Sequence, residues 1–368
     1  MHLLSSTAFH GAESMTLQLA VAQRNAGHEV CVGLLDAGDV ARQDIESRFS
    51  AAGIRTRRLE CRGKLDLGLI RELGNLIGSR VVDILHSHKY KATFHALPAA
   101  RGRVPVVTTY HNWILTDRNL RMYARIDKRL ARWCAACVAV SAEVRAELER
   151  YVPAGRVHQV ANGIDLDRWV APVDASAREA QGLGDVPAIG FVGRLSQEKG
   201  LGLLVDALAL MPPVNGRPVH ALLAGDGPDR NQLESQVRAR GLAGRVHFAG
   251  NVSDTRAIYG AVDLVVLPSL TEGLPMTVLE AMACERPVIA TAVGELPSVI
   301  EEGRSGWLLP ARDARVFAQM LTNALSDKAR LREMGAAARR RIRETHSAAA
   351  MAAAYAQIYR GALDASPG

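Results

Sequence analysis

Short apolar runs alternate with helix-length segments along the first half of the chain. That rhythm predicts a parallel sheet with helices on both faces. The runs are His2–Ser5, 29–35, 82–86, 104–110 and 137–140, each rich in Val, Ile or Leu and of strand length. Between the first two, segment 11–26 places Met15, Leu19 and Ala22 on one face at helical spacing. Around 165–186 the pattern lapses into Pro, Ala, Gly and charge. It restarts with Ala188–Val192, 219–224, 245–249, Leu264–Leu267 and Val288–Thr291. From Asp313 the chain reads as helix, with 348–354 a run of strong helix formers.

The expected organisation is a first doubly wound α/β domain at 1–168, a linker at 169–186, a second such domain at 187–345, and a terminal helix within 346–368 packing back on the first. A length of 368 residues suits two cores of this kind. Doubly wound sheets bind ligands at the carboxyl ends of their strands, where the strand order reverses. A cleft between two of them suits a reaction with two substrates.

Composition narrows the field. Apolar residues are 48% and charged residues 23% of the chain, an ordinary globular balance. No run of 18 apolar residues occurs, so no membrane-crossing helix is expected. The start of the chain has no basic leader or cleavage site, and the expected location is the cytoplasm. Cys134 and Cys137 are spaced like half of a redox or zinc site, but no second pair exists, and they are read as packing residues.

The net charge of +7 is unevenly spread, with eight Arg or Lys against two Asp between 101 and 132. Such a surplus attracts nucleic acid, anionic lipid or phosphorylated substrates. Without an aromatic-interleaved RNA motif or zinc-finger spacing, nucleic acid is the weakest of the three. Segment 116–134 reads as a basic amphipathic helix, with Leu120, Tyr123, Ile126, Leu130 and Trp133 on one stripe and Arg121, Arg125, Lys128 and Arg132 on another. It is either a packed helix with a solvated face or a contact for anionic lipid or a lipid-linked acceptor at the inner face of the cytoplasmic membrane.

The strand ends of the second domain carry the candidate chemistry. Ala188–Val192 runs into Gly193-Arg194-Leu195-Ser196-Gln197-Glu198-Lys199-Gly200 and then a helix. Two cations beside free helix N–H groups suit a diphosphate, although a solvated loop would look the same. Segment 219–224 runs into Gly225-Asp226-Gly227-Pro228, where glycines either admit a ligand or make the turn. After 245–249, Ser253 or Asp254 suits a helix N-cap. After Leu267 come Pro268-Ser269-Leu270-Thr271-Glu272-Gly273-Leu274-Pro275, and then a helix holding Glu280 among Val278, Leu279, Ala281 and Met282. A carboxylate in that setting needs a partner. A ribose diol is one, and a neighbouring Arg or Lys is another.

Together these segments resemble the family 4 (group 1) retaining glycosyltransferases. The paired glutamates with seven residues between them, Leu279-Glu280-Ala281-Met282, Gly193-Arg194-Leu195 with Glu198-Lys199-Gly200, Ala224-Gly225-Asp226-Gly227-Pro228, Pro287-Val288-Ile289-Ala290-Thr291 and Gly306-Trp307-Leu308-Leu309 carry the resemblance. It is specific over 190–309. It is looser in the first half, at Gly11-Ala12-Glu13, His86-Ser87-His88, His111 and Asn162-Gly163-Ile164-Asp165.

The resemblance implies the GT-B fold, two Rossmann-like domains facing across a cleft, and transfer of a sugar from a UDP- or GDP-sugar to a glycan or lipid-linked glycan in bacterial envelope or exopolysaccharide synthesis. It implies that Arg194 and Lys199 neutralise the donor diphosphate, Glu280 binds ribose, Glu272 contacts the transferred sugar, and the Pro275, Met276 and Thr277 backbone holds sugar or phosphate oxygens. Gly11, Gly193, Gly225, Gly273 and Leu274 would line the substrate, Val252 would lie near the base, and His111 would serve from the acceptor side. The family's usual glycine pair after the first strand is His10-Gly11 here, which alters that contact.

No cofactor or metal is called for, the nucleotide sugar being a substrate. Asp165-Leu166-Asp167 imitates a metal motif but sits where the apolar pattern lapses, next to the expected linker. His86 and His88, taken to point to opposite faces of a strand, are assigned to packing or cleft lining, and His95 to a helix face with no task. The rival activities are a nucleotide-sugar epimerase on the same fold, a phosphorylase, for which no pyridoxal-phosphate lysine site is found, and a non-catalytic sugar-nucleotide-binding subunit.

Overall fold

The computed structural model describes residues 1–5, 9–35, 39–63, 65–111, 118–170 and 175–365. It divides into two compact units, 1–163 with 348–368, and 164–347.

The first unit holds a seven-stranded parallel sheet: β1 (His2–Ser5), β2 (Cys31–Leu35), β3 (Arg55–Leu59), β4 (Leu85–His88), β5 (Val106–Tyr110), β6 (Ala136–Ala139) and β7 (Val157–Gln159), in the order β3-β2-β1-β4-β5-β6-β7. The two-residue period sends Leu3 into one core with Leu59 and Leu85, and Leu4 into the other with Val32 and Phe49. β3 and β7 were not foreseen. β3 reads Arg-Thr-Arg-Arg-Leu because it is an edge strand whose arginines pair outward, Arg57 with Glu72 at 3.0 Å and Arg58 with Glu46 at 2.6 Å. β4 starts later than the apolar pattern indicates and takes in His86-Ser87-His88, while Val82 is buried before the strand begins.

Helix Gly11–Asn25 is buried on more than the expected face, and Ala22 itself is only half-buried. Helix Ala348–Asp364 packs along it and belongs to this unit. Helix Arg118–Leu130 also departs from its expected stripes. Ala124 and Asp127 are buried and Tyr123 stacks on Tyr90 at 4.7 Å, but Ile126 and Trp133 face solvent together with Arg125, Arg129 and Arg132. Residues 116 and 117 and the side chains of Leu120 and Arg121 lie outside the described residues. Cys134 and Cys137 are buried at the end of this segment.

The second unit holds a six-stranded parallel sheet: β8 (Ala188–Val192), β9 (His220–Ala224), β10 (Val246–Gly250), β11 (Leu264–Leu267), β12 (Val288–Thr291) and β13 (Gly306–Leu309), in the order β10-β9-β8-β11-β12-β13. Part of the expected linker is built into this unit. Arg339 donates to the carbonyls of Leu166 (2.9 Å) and Trp169 (2.7 Å), and Arg178 of helix Ala175–Ala180 pairs with Asp263 at 3.2 Å. Loss of apolar periodicity there reflects a surface wrapping held by arginines rather than a free connector. Asp313 and Asp327 cap helices Ala314–Ser326 and Lys328–Thr345 by accepting from their first N–H groups.

Candidate active site

Both strand orders reverse once, between β1 and β4 in the first sheet and between β8 and β11 in the second. The two switch points put loops after β1, β4, β8 and β11 where doubly wound folds take ligands.

In the second unit the loops after β8 and β11 are clamped together. Leu270 N–H donates to Glu198 O at 2.7 Å, and Arg312 donates to Pro268 O at 2.8 Å. This brings Lys199 Nζ to 2.6 Å from Glu272 Oε1, an oxygen that also accepts from Ser269 Oγ at 2.6 Å. Glu272 is buried, so the pair shares a nearly dry site in which each charge needs the other. The lysine ammonium has further N–H donors to offer. Arg194 lies exposed on the same loop and makes no ion pair among the described residues.

Pro275 opens helix Met276–Ala283, and no side chain caps it, so its first backbone N–H groups at Met276 and Thr277 stand available to an acceptor. Glu280, in the same helix, is buried and accepts from Tyr259 Oη at 2.9 Å. Of the two partners the sequence left open, a ribose diol and a neighbouring Arg or Lys, the second is replaced by a phenol. Burial, then the Glu280 charge, pushes the Tyr259 hydroxyl well above its ordinary range, so it stays a donor to the carboxylate.

The glycines divide by cause. Gly225 has φ +130°, and a Cβ there would collide with the Gly193 carbonyl oxygen. Loop-on-loop packing thus explains Gly225, whereas a Cβ at Gly193, φ +155°, would press on the Phe191 ring at 3.1 Å. Gly294, φ +56°, meets the Glu272 and Gly273 carbonyls in the same way and so seats the Glu272 loop. Gly11 is different: among the described residues, a Cβ there would meet nothing. Val252 sits half-buried in the turn after β10, where Asp254 Oδ1 accepts from Arg256 N–H at 3.1 Å.

In the first unit, His111 follows β5, and its Nε2 lies 3.4 Å from Nδ1 of His88. His86 and His88 are two apart in β4 and share one face, contrary to the expected opposite faces; their rings are 4.3 Å apart. His2, on the neighbouring strand, completes a buried cluster. Burial pushes His2 down to about 3 and His111 to about 4, and holds His86 and His88 well below their ordinary range. His95 has a task after all. It is buried, donates from Nδ1 to Lys91 O at 2.8 Å and accepts from Asp66 N–H at 3.1 Å, pinning the loop that enters helix Leu67–Gly78.

Two residues here were missed. Lys89 has φ +75° and ψ 155°, a conformation costly for a side-chain-bearing residue, and its ammonium lies 2.9 Å from Glu13, which is fully buried. Nothing in the sequence around Lys89 signals positive φ. Asp165 accepts from Asp167 N–H at 3.1 Å, a local turn.

Two doubly wound parallel units, the second with cation and carboxylate loops at its switch point, are the architecture of the GT-B class. The model of glycosyl transferases group 1 matches residues 186–327, and that of glycosyltransferase family 4 matches residues 9–168. The D-inositol 3-phosphate glycosyltransferase of Jonesia denitrificans is 33% identical over 302 residues, 74% of this chain and 71% of that protein. The alpha-D-kanosaminyltransferase of Streptomyces kanamyceticus is 32% identical over 242 residues, 61% of this chain and 62% of that one. The solved structure of Anabaena HepE in complex with UDP and glucose superimposes with a TM-score of 0.84 at 23% identity, covering 97% of both chains. The chain belongs to the group 1, family 4 glycosyltransferases and is a glycosyltransferase enzyme. Epimerisation is not favoured by these relatives, which are named for transfer.

Proposed function

We propose that the chain moves a sugar, with retention, from a UDP-sugar to a hydroxyl of a glycan or lipid-linked glycan in bacterial envelope synthesis. The observation that carries this reading is the Lys199–Glu272 pair at 2.6 Å, at the switch point of the second sheet. The anomeric C–O bond to the diphosphate breaks, a bond to the acceptor oxygen forms on the same face, and the acceptor proton passes to a leaving phosphate oxygen. Negative charge grows on that phosphate as the sugar becomes oxocarbenium-like. Lys199, Arg194 and the N–H groups of Met276 and Thr277 are preorganised donors of the kind that stabilise it. Glu272 orients the sugar, Glu280 takes the ribose hydroxyls, and His111 serves the transfer from the first unit. None of these roles requires a metal. A UDP complex of a fold neighbour supports the choice of donor, and the sugar transferases named among the relatives support the reaction class.

Thermal-shift screening against UDP, GDP and ADP tests the reading. UDP is expected to raise the melting temperature most, since a ligand bound by the native state stabilises it. No shift with any of the three would contradict it.

The solvent-facing set of Met122, Ile126 and Trp133 among Arg125, Arg129 and Arg132 supports contact with an anionic membrane, since basic and apolar side chains share one surface. An open groove beside it is lined by Arg132, Trp133, Arg150, Tyr151 and Arg156, with Glu149 as its one acid. Among the described residues no helix is long and apolar enough to cross a bilayer. Sedimentation with phosphatidylglycerol vesicles is expected to be salt-sensitive and to be lost when those three arginines become Glu. Unchanged binding of the triple variant would remove the membrane from the proposal.

A further inference from the structure

The buried histidines of the first unit form a chain of hydrogen bonds with one direction. At its root is Gln23 of helix Gly11–Asn25. Its Nε2 donates to Tyr359 Oη at 3.2 Å, which leaves Oε1 facing His2 Nε2 at 2.8 Å. An amide oxygen only accepts, so the His2 proton is on Nε2 and its Nδ1 is bare. His88 Nε2, 3.2 Å away, must then donate to His2 Nδ1, and His88 Nδ1 is bare in turn. Thr16 Oγ1 lies 3.5 Å from that nitrogen, but its proton goes to Ala12 O at 2.8 Å. The proton on His88 Nδ1's other neighbour, His111 Nε2 at 3.4 Å, completes the series. A branch runs from Tyr359 Oη to His86 Nδ1 (2.6 Å), from His86 Nε2 to Thr109 Oγ1 (2.8 Å), and on to Tyr355 Oη (2.9 Å).

We infer that Gln23, His2 and His88 are positioning residues that hold His111 as its Nε2–H tautomer and leave His111 Nδ1 as a bare acceptor for a substrate hydroxyl. The inference rests on the reading of His111 as a group that serves the transfer. It adds which nitrogen acts and what sets it. All four imidazoles are neutral at pH 7, so each has one N–H to give and one lone pair to fill, and a single amide orientation propagates through the series. Lys89 and Glu13 are the charged groups facing His111. Lys89 opposes its protonation and Glu13 favours it, both less than burial does. One ring nitrogen from each of His2, His86 and His88 lies within 4.8 Å of the other two, as in a metal cluster. Their lone pairs are already filled, however, by His88 Nε2–H, Tyr359 O–H and His111 Nε2–H.

Long-range proton–nitrogen spectra of protein labelled with 15N-histidine read each tautomer directly. The wild-type protein at pH 7 is expected to show Nε2–H signatures for His2, His88 and His111. In Gln23→Met the His111 signals are expected to move toward a tautomer mixture. The kcat for UDP-glucose consumption should fall on the order of tenfold, with KM changed by less than about twofold. Gln23→Glu, which keeps an acceptor on His2, is expected to restore the Nε2–H signature. Nδ1–H signatures in the wild type would overturn the inference without recourse to any variant, as would His111 signals in Gln23→Met that stay where they were. If instead His111→Ala retains full turnover while the tautomers are as described, it is the role of His111, and the inference resting on it, that fails.

Discussion

The two switch points are built from opposite materials. That of the second unit brings opposite charges together, Lys199 on Glu272 with Ser269 behind them, on contiguous loops clamped backbone to backbone. That of the first unit packs neutral imidazoles, buried in β1 and β4 and half-buried at the end of β5, and roots them in a helix and in the C-terminal segment 336 residues from Gln23. Charge concentrated on loops suits a group that must meet a diphosphate. A neutral, dry network suits a group that must present one lone pair in one direction.

The contrast can be broken at four places, from the largest expected effect down. Lys199→Ala removes a cation and strands a buried carboxylate. The kcat for UDP-glucose consumption is expected to fall on the order of 10²–10³-fold, the usual loss for one preorganised donor to a developing oxyanion. A loss within about threefold, less than a single ordinary hydrogen bond contributes, would show that the pair is structural. Glu280→Ala is expected to act on donor binding, raising KM on the order of 10–100-fold, as befits hydrogen bonds to a charged group, with a smaller change in kcat. An unchanged KM would leave Glu280 as the partner of Tyr259 alone.

Gly225→Ala tests fold rather than ligand. It forces a Cβ onto Gly193 O and is expected to cost about 2 kcal/mol or more, a fall in Tm of several degrees by calorimetry, whereas Gly11→Ala should melt as the parent does. Equal stability of the two variants would contradict the division of the glycines.

The last is acid. His2, His86, His88 and His111 have native values below the ordinary 6.5, so the unfolded chain binds protons that the native first unit refuses. Their stabilisation is complete above about pH 6.5 and is lost as pH falls toward the native values, about 4 for His111 and about 3 for His2. Hydrogen exchange between pH 7 and 4 is expected to show β1 and β4 opening before β8 and β11. Simultaneous opening would erase the difference.

How much of this was legible follows from the same contrast. The second site lies in runs of chain, Gly193 to Gly200 and Ser269 to Glu280, so adjacency in sequence is adjacency in space, and Lys199, Glu272 and Glu280 could be named before any coordinates. Even there, Tyr259 was invisible, because it comes from a different helix and meets Glu280 only through packing. The histidine chain was half visible. His86-Ser87-His88 stood out, but the strand was expected to start three residues and end two residues too early, and the shared face was missed. Gln23, Tyr355 and Tyr359 carry no local signal, since what makes them partners is the packing of the last helix on the first. β3 escaped because an arginine-rich edge strand has no apolar run to find.

Isothermal titration of UDP into the wild-type chain and into the Arg194→Ala, Lys199→Ala double variant bears most directly on the central claim. The switch point of the second unit is proposed to hold a nucleoside diphosphate. Binding to the wild type, weakened on the order of a hundredfold or more in the double variant, is the expected result, since each cation makes charge-assisted hydrogen bonds to phosphate. Equal binding by the two proteins, or no heat from either, would contradict it.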